Sequence, residues 1–265
     1  MEKLAALQNL IHTFPSALVA YSGGVDSTFL AVVVRQVLGG RMLAVTAVSP
    51  TYPGSQLSEA KDLAAQFGFP LQVITTHEFD DPEFINNSPE RCYFCKLALF
   101  KELQGIATRN NLAVILDGAN QDDLADYRPG HRAAREMKVR SPLREVGLTK
   151  AEIRELSKKM GLPTWQKPAY ACLASRIPYG QAITFEALAR IDQAESFLMS
   201  LGFHEIRVRD HFPVARVEIG SAELEHAWRL RGQIAAKLHE LGFPYATLDL
   251  DGFRSGSMNA LLPRN

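Results

Sequence analysis

The 265-residue chain (29.3 kDa, pI near 7.1) carries 29 Lys plus Arg against 29 Asp plus Glu. Formal neutrality argues against long-range attraction to DNA, tRNA or anionic membrane, so any nucleic-acid role would have to rest on a local patch. With 46% apolar and 22% charged residues, the chain has ample material for a buried core and does not read as disordered.

Leu4, Leu7 and Ile11 mark one face of a short helix, so no signal peptide is expected there. Residues 17–21 predict a strand ending in a glycine turn, followed by a helix through 29–38. The longest apolar run, 29–34, falls far short of a membrane span. A strand over 41–48 is closed by Pro50 and Pro53, and a helix over 55–67 is stopped by Gly68. Then come a strand at 71–75, a helix at 96–108 and a strand at 112–116. Such alternation predicts a parallel sheet covered on both faces, with ligands at the carboxyl ends of its strands. Thr149 and Glu152 form a T-x-x-E capping box before an amphipathic run that Gly161 and Pro163 end. Past Tyr179 the pattern changes, with helices at 185–201 and 222–241 and strands at 204–210, 214–219 and 246–250. The expected fold is α/β, a Rossmann-like domain over 1–178 with a smaller α+β domain over 179–265. No repeat or low-complexity linker marks the boundary.

The most informative stretch is Ser22-Gly23-Gly24-Val25-Asp26-Ser27-Thr28, directly after the first strand. Two glycines allow a tight turn and let backbone N–H groups approach an anion, while the helix starting near Val25 or Asp26 aims its N-terminus at the same place. Ser22, Ser27 and Thr28 add hydroxyls. An ordinary capped turn is the competing explanation for S-G-G alone. The string is neither a Walker A loop nor a dinucleotide G-x-G-x-x-G. It resembles the PP-loop of ATP pyrophosphatases, and that resemblance implies ATP cleavage between the α and β phosphates with formation of an adenylate. Asp117, Asp122 and Asp123, in a D-G-A-N-Q-D-D string after the fourth strand, are candidate Mg²⁺ partners; an Asx-rich turn is the alternative. Between 128 and 144 the chain carries Arg128, Arg132, Arg135, Lys138, Arg140 and Arg144 against the single acid Glu136. That segment is either a solvated helix face or a rim for a polyanionic substrate.

Three cysteines in a chain expected to be cytoplasmic suggest reactive or metal-bound thiols rather than a disulfide scaffold. Cys92 and Cys95 form a C-x-x-C, and Cys172 lies in A-C-L-A-S-R-I-P-Y-G. Three thiolates suit a [4Fe–4S] cluster with one open iron, or zinc with a histidine; a half-buried or redox pair is the bland account of the C-x-x-C. Arg176 and Lys167, near Cys172 in sequence, are expected to favour its thiolate.

Together, the PP-loop, the string from Asp117, the R-C-Y-F-C-K segment and the segment around Cys172 resemble the LarE family. The match runs to Gly180, and the remainder has the size and pattern of that family's small domain. The resemblance implies an ATP-dependent sulfur transferase of nickel-pincer nucleotide synthesis, the cofactor of lactate racemase. Its substrate would be pyridinium-3,5-biscarboxylic acid mononucleotide, whose carboxylates become thiocarboxylates. ATP and Mg²⁺ would be bound through Ser22, Gly23, Gly24, Asp26, Ser27, Thr28 and Asp117. Cys172 matches the sulfur-handling cysteine. One branch of the family sacrifices that cysteine's sulfur and keeps dehydroalanine, whereas another holds a [4Fe–4S] cluster on three cysteines. Cys92 and Cys95 place this chain with the second branch. Arg207 and Arg209 carry over as ligands of the substrate phosphate, and alternation on a strand puts both on one face. Glu195 and Glu218 carry over as metal or substrate contacts, with ion pairing the alternative for all four. The resemblance also implies a homo-oligomer, a hexamer built from dimers, and a sulfide donor as partner.

Two other readings fit the same loop. A PP-loop tRNA thiolase or amidotransferase-type synthetase keeps the same loop, but net neutrality and a single C-x-x-C count against the tRNA version. A non-enzymatic ATP-binding sensor would bind without releasing pyrophosphate.

Overall fold

The computed structural model describes residues 2–52, 54–125, 129–168, 171–254 and 257–258. They form two compact units. The first takes residues 1–49, 54–81 and 90–170; the second takes 50–53, 82–89 and 171–265. Cys92 and Cys95 therefore belong to the first unit and Cys172 to the second.

In the first unit the elements are α1 (Glu2–His12), β1 (Ala17–Ala20), α2 (Val25–Leu38), β2 (Met42–Val48), α3 (Gly54–Gln66) and β3 (Leu71–Thr75). The second unit contributes the short α4 (Pro82–Ile85), after which the first resumes with α5 (Arg91–Arg109), β4 (Val114–Leu116), α6 (Gly130–Glu136), α7 (Pro142–Glu145) and α8 (Lys150–Lys159). All four strands are parallel, in the order β3-β2-β1-β4. Both faces are covered, as expected for such a sheet. Ala17 and Val19 of β1 point into a core shared with Phe29, Leu30 and Val33 of α2. Leu18, on the opposite face, joins Phe100, Leu103 and Ile106 of α5. Strand order reverses between β1 and β4, and this reversal is where open α/β sheets place their ligands. Val19 pairs with Leu116, so the glycine turn after β1 and the Asp117 string after β4 leave the sheet side by side.

The second unit continues with α9 (Phe185–Ser200), β5 (Ile206–His211), β6 (Val214–Ile219), α10 (Leu224–Arg229), α11 (Arg231–Glu240) and β7 (Tyr245–Leu248). β5 and β6 are antiparallel, and β7 joins β6 in parallel. Ile206 and Val208 face Ala194 and Leu198 of α9 across this unit's core. Alternation turns Arg207, Arg209 and His211 to the other face.

Most boundaries fall within about two residues of expectation, and two helices differ by more. The helix expected over 96–108 begins at Arg91, so the C-x-x-C lies on its first turn rather than in a preceding loop. The helix expected over 222–241 is broken: a 3₁₀ turn (Ser221–Glu223) precedes α10, and Leu230 leaves helical geometry before α11. Gly232, a poor helix former, sits just beyond that break. Among the described residues, no helix is long and apolar enough to cross a membrane.

Candidate active site

Gly23 takes φ +69°, a left-handed conformation open to glycine at little cost. Gly24 then starts α2 with extended backbone and no side-chain cap. The first N–H groups of a 14-residue helix are thus aimed outward at the switch point. Ser27 braces the turn: its Oγ accepts from Ser22 N (3.2 Å), lies 3.0 Å from Ser22 Oγ and donates to Gly24 O. Gly118 packs directly on this structure, since a Cβ there would sit 3.1 Å from Ser27 N. The turns after β1 and β4 therefore touch through backbone.

Two side-chain oxygens of the loop, Asp26 Oδ1 and Thr28 Oγ1, are buried with no hydrogen-bond partner. Leaving such groups unmet costs about 1–3 kcal/mol each, which an incoming ligand would recover. The other Asp26 oxygen, Oδ2, accepts from Lys150 Nζ. Lys150 begins α8, and its backbone N–H donates to Asp122 Oδ2 at 2.8 Å, tying the Asp string to the loop. Burial nevertheless raises the Asp26 pKa above the ordinary carboxylate value, with Lys150 opposing and the nearby Asp123 reinforcing the shift. Lys167 donates to Gly23 O (3.1 Å) and Glu59 (2.7 Å). Its ammonium thus braces the glycine turn.

Asp117 and Asp123 are buried. Asp117 Oδ1 accepts from Ala119 N, and Asp123 Oδ2 from Asn120 N. The Asx-turn reading is therefore correct as local structure for Asp117, and a carboxylate that accepts one such bond keeps further acceptor capacity. Mg²⁺ usually takes one or two carboxylates and completes its shell with waters and phosphate oxygens. Asp26, Asp117 and Asp123 fit that demand. Among the described residues, no group of three or more His, Cys, Asp or Glu is preassembled around a metal position.

The basic segment is largely paired. Arg132 stacks on Tyr93, 3.9 Å from the ring centre, and bonds Glu90. Arg140 pairs with Glu145, and Arg144 donates to Ser141 Oγ. Arg128 lies outside the described residues.

Cys92 and Cys95 are half-buried thiols on the first turn of α5, three residues apart and so on one helical face. Arg91 approaches Cys92 Sγ at 3.9 Å. As a donor pair they fit two corners of an iron–sulfur cluster. In the second unit, Cys172 is exposed and precedes a 3₁₀ turn (Leu173–Arg176). Arg176 does not direct its charge to that thiol: it forks onto Glu195 at 2.9 and 2.8 Å and is fully buried.

Arg207 and Arg209 are both buried on β5, opposite Glu218 and Arg216 of β6. Glu218 accepts from Arg209 (2.7 Å), Arg216 (3.0 Å) and Ser257 (2.7 Å). Its carboxylate is thus held by arginines, and Glu195 is held likewise. Arg207 lies 5.0 Å from the centre of the Phe253 ring. The Nε of Arg209, the Nε of Arg216 and His211 Nε2 are buried without hydrogen-bond partners. Burial and these two arginines hold the His211 pKa below its usual value. The face carries an excess of positive charge. Sequence reasoning missed Lys150, Gly118 and Arg216 as members of these sites.

No protein-family model matches the chain. The chain is 41% identical over 264 residues to the uncharacterized protein slr1717 of Synechocystis sp., covering 99% of this chain and 98% of that one. It is 31% identical over 258 residues to the uncharacterized protein MJ0830 of Methanocaldococcus jannaschii, covering 96% and 98%. It is also 37% identical over 263 residues, covering 99% of this chain and 95% of the other, to pyridinium-3,5-bisthiocarboxylic acid mononucleotide synthase of Lactiplantibacillus plantarum. End-to-end similarity at that level, on a parallel sheet whose switch point carries the S-G-G-V-D-S-T turn, means that the chain belongs to the LarE family of sulfur-transferring enzymes.

Proposed function

We propose that the protein uses ATP to convert the carboxylates of pyridinium-3,5-biscarboxylic acid mononucleotide to thiocarboxylates, for synthesis of the nickel-pincer cofactor of lactate racemase. We further take it to act in the cytoplasm as a homo-oligomer, with a sulfide donor as partner. The observation that carries this reading is the loop itself: Asp26 Oδ1 and Thr28 Oγ1, buried and unpartnered, beside an uncapped helix N-terminus entered through a left-handed glycine.

A substrate carboxylate oxygen attacks the α-phosphorus of ATP. The bond from that phosphorus to the α–β bridging oxygen breaks, pyrophosphate leaves and an acyl-adenylate forms. The Gly23–Gly24 turn and the N-terminus of α2 hold the departing pyrophosphate, with Lys150 and Lys167 supplying positive charge. Asp26, Asp117 and Asp123 would hold Mg²⁺, which neutralises phosphate charge. The cationic face around Arg207 and Arg209 would bind the substrate's phosphate. A sulfur nucleophile then adds to the acyl carbon and AMP leaves.

Cys92, Cys95 and Cys172 would hold a [4Fe–4S] cluster, whose open iron supplies a site for an additional sulfide and so for repeated turnover. The exposure of Cys172 also favours a second route, in which its own sulfur is given up. There Cys172 Sγ displaces AMP to form a thioester. Loss of the Cα proton with cleavage of the Cβ–Sγ bond then releases the thiocarboxylate and leaves dehydroalanine at 172.

The test is pyrophosphate release from ATP, with and without the pyridinium substrate, in wild type and Gly24→Arg. Substrate-dependent release in wild type and none in the variant is expected. Release by the variant at the wild-type rate would overturn the loop assignment, and ATP binding without release in wild type would favour a sensor.

A further inference from the structure

Arg176 is the largest fully buried side chain among the described residues, and every nitrogen of its guanidinium is engaged. Nε and Nη2 fork onto Glu195. Nη1 donates to the backbone carbonyls of Ala171 (2.6 Å) and Cys172 (3.1 Å), and to Ser175 Oγ (3.0 Å). Glu195 Oε1 in turn accepts from Val208 N at 2.9 Å. The Cys172 carbonyl is therefore fixed from below by Arg176 and from within its own turn by Ser175 N, while its side chain faces outward.

The anchor continues into the cationic strand. Val208 lies between Arg207 and Arg209, and Arg209 Nη1 donates to Ser175 O at 3.1 Å. One hydrogen-bonded frame thus carries the thiol, through the 171–176 turn, and the phosphate-binding candidates, through β5. A buried ion pair is poor evidence for stability by itself, because desolvation offsets its attraction. A guanidinium that also holds two successive carbonyls at a reactive residue has a more specific use.

Resting on the reading of Cys172 as the sulfur-handling residue, we propose that Arg176 and Glu195 are positioning residues: together they fix the Cys172 turn relative to β5, so that sulfur meets a substrate held by its phosphate on that strand. Activation of the carboxylate by ATP does not depend on the pair; transfer of sulfur does. Effective molarity is lost steeply when reacting groups move by an ångström or less.

The experiment separates the two half-reactions in full-length protein. Arg176→Lys keeps the charge but cannot reproduce the fork and both carbonyl bonds. The double variant Arg176→Met with Glu195→Leu removes the pair without leaving an uncompensated buried charge. Both should release pyrophosphate within about twofold of wild type yet form thiocarboxylate about a hundredfold more slowly. Iodoacetamide labelling of Cys172, followed by peptide mass spectrometry without ATP or substrate, should change by roughly threefold or more in both. Glu195→Gln, which retains the shape but turns one acceptor of the fork into a donor facing Arg176, should show the same separation of the two half-reactions. Folded variants with wild-type transfer and labelling would overturn the proposal. So would failure of both variants to fold, which would assign the pair to stability alone. If wild type releases no pyrophosphate, or Cys172→Ala still forms thiocarboxylate, the functional reading has failed instead, and the labelling result still decides whether the pair fixes the turn.

Discussion

Asp26 keeps one carboxylate oxygen on Lys150 and buries the other without a partner, and burial outweighs the lysine in setting its acidity. A carboxylate with a raised folded-state pKa destabilises the fold at neutral pH, where it must be ionised. Asp26→Asn should therefore leave the melting temperature unchanged or higher, while lowering pyrophosphate release by roughly a hundredfold if the loop carboxylate serves the proposed Mg²⁺. A variant that melted lower and still released pyrophosphate would show Asp26 to be structural. Gly118 makes a steric counterpart. Its Cβ position lies 3.1 Å from Ser27 N, so Gly118→Val should push the first turn of α2 aside and slow pyrophosphate release by about a hundredfold, as steady-state assay would show. Residues of the glycine turn were legible in sequence because their chemistry is local: two glycines, then hydroxyls, then a helix. Lys150 and Lys167 were not, because they reach the turn from 124 and 144 residues away, a relation that only packing creates. Arg176 was legible as a cation near Cys172, but its partner Glu195, 19 residues on, turns it from a thiol activator into an anchor for backbone.

The capping box of α8 shows an element specified almost entirely by its own sequence. Thr149 accepts from Glu152 N at 3.3 Å, and Glu152 accepts from Thr149 N at 2.9 Å. Lys3 adds a further bond to Glu152 at 2.8 Å. Thr149→Ala should cost about 1 kcal/mol, read as a fall of about 2–4 °C in melting temperature. The Glu152 pKa is lowered from 4.5 to about 2, first by the Lys3 hydrogen bond and then by Thr149. A depressed carboxylate stabilises fully above its unfolded pKa, and this contribution is lost as pH falls through the folded value. The stability difference between wild type and Glu152→Gln should thus hold at pH 7 and shrink between about 4.5 and about 2. Denaturant titrations across that window would measure it, and a constant difference would exclude the linkage. The third strand falls where a run rich in β-branched residues placed it, at Leu71–Thr75. α5 begins five residues early because helix propensity alone does not reveal that Cys92 to Cys95 can wind into its first turn; neither the cysteines nor Tyr93 and Phe94 are strong helix formers. The break at Leu230 was hidden by an apolar pattern that runs through it.

At the scale of the whole molecule, the parallel sheet was legible because strand–helix alternation is periodic, and its switch point because a glycine turn and an acid-rich turn follow two of its strands. The membership of individual segments was not: residues 50–53 and 82–89 join the second unit from within the first half of the chain, an exchange that no local pattern encodes. Cys92 and Cys95 lie on a helix of the first unit, and Cys172 in a turn of the second. The proposed cluster, like any ligand that binds only the folded protein, would raise the stability of what it binds. Anaerobic reconstitution with iron and sulfide should give wild type a broad iron–sulfur absorption band and a higher melting temperature than the metal-free protein. Cys172→Ala should lose or weaken both effects, and so should Cys92→Ala with Cys95→Ala. A band retained by Cys172→Ala would confine the metal to the C-x-x-C. Absence of iron uptake by wild type would remove the cluster and leave Cys172 as the sacrificial sulfur source, visible after a single turnover as the loss of one H₂S from the peptide that carries it.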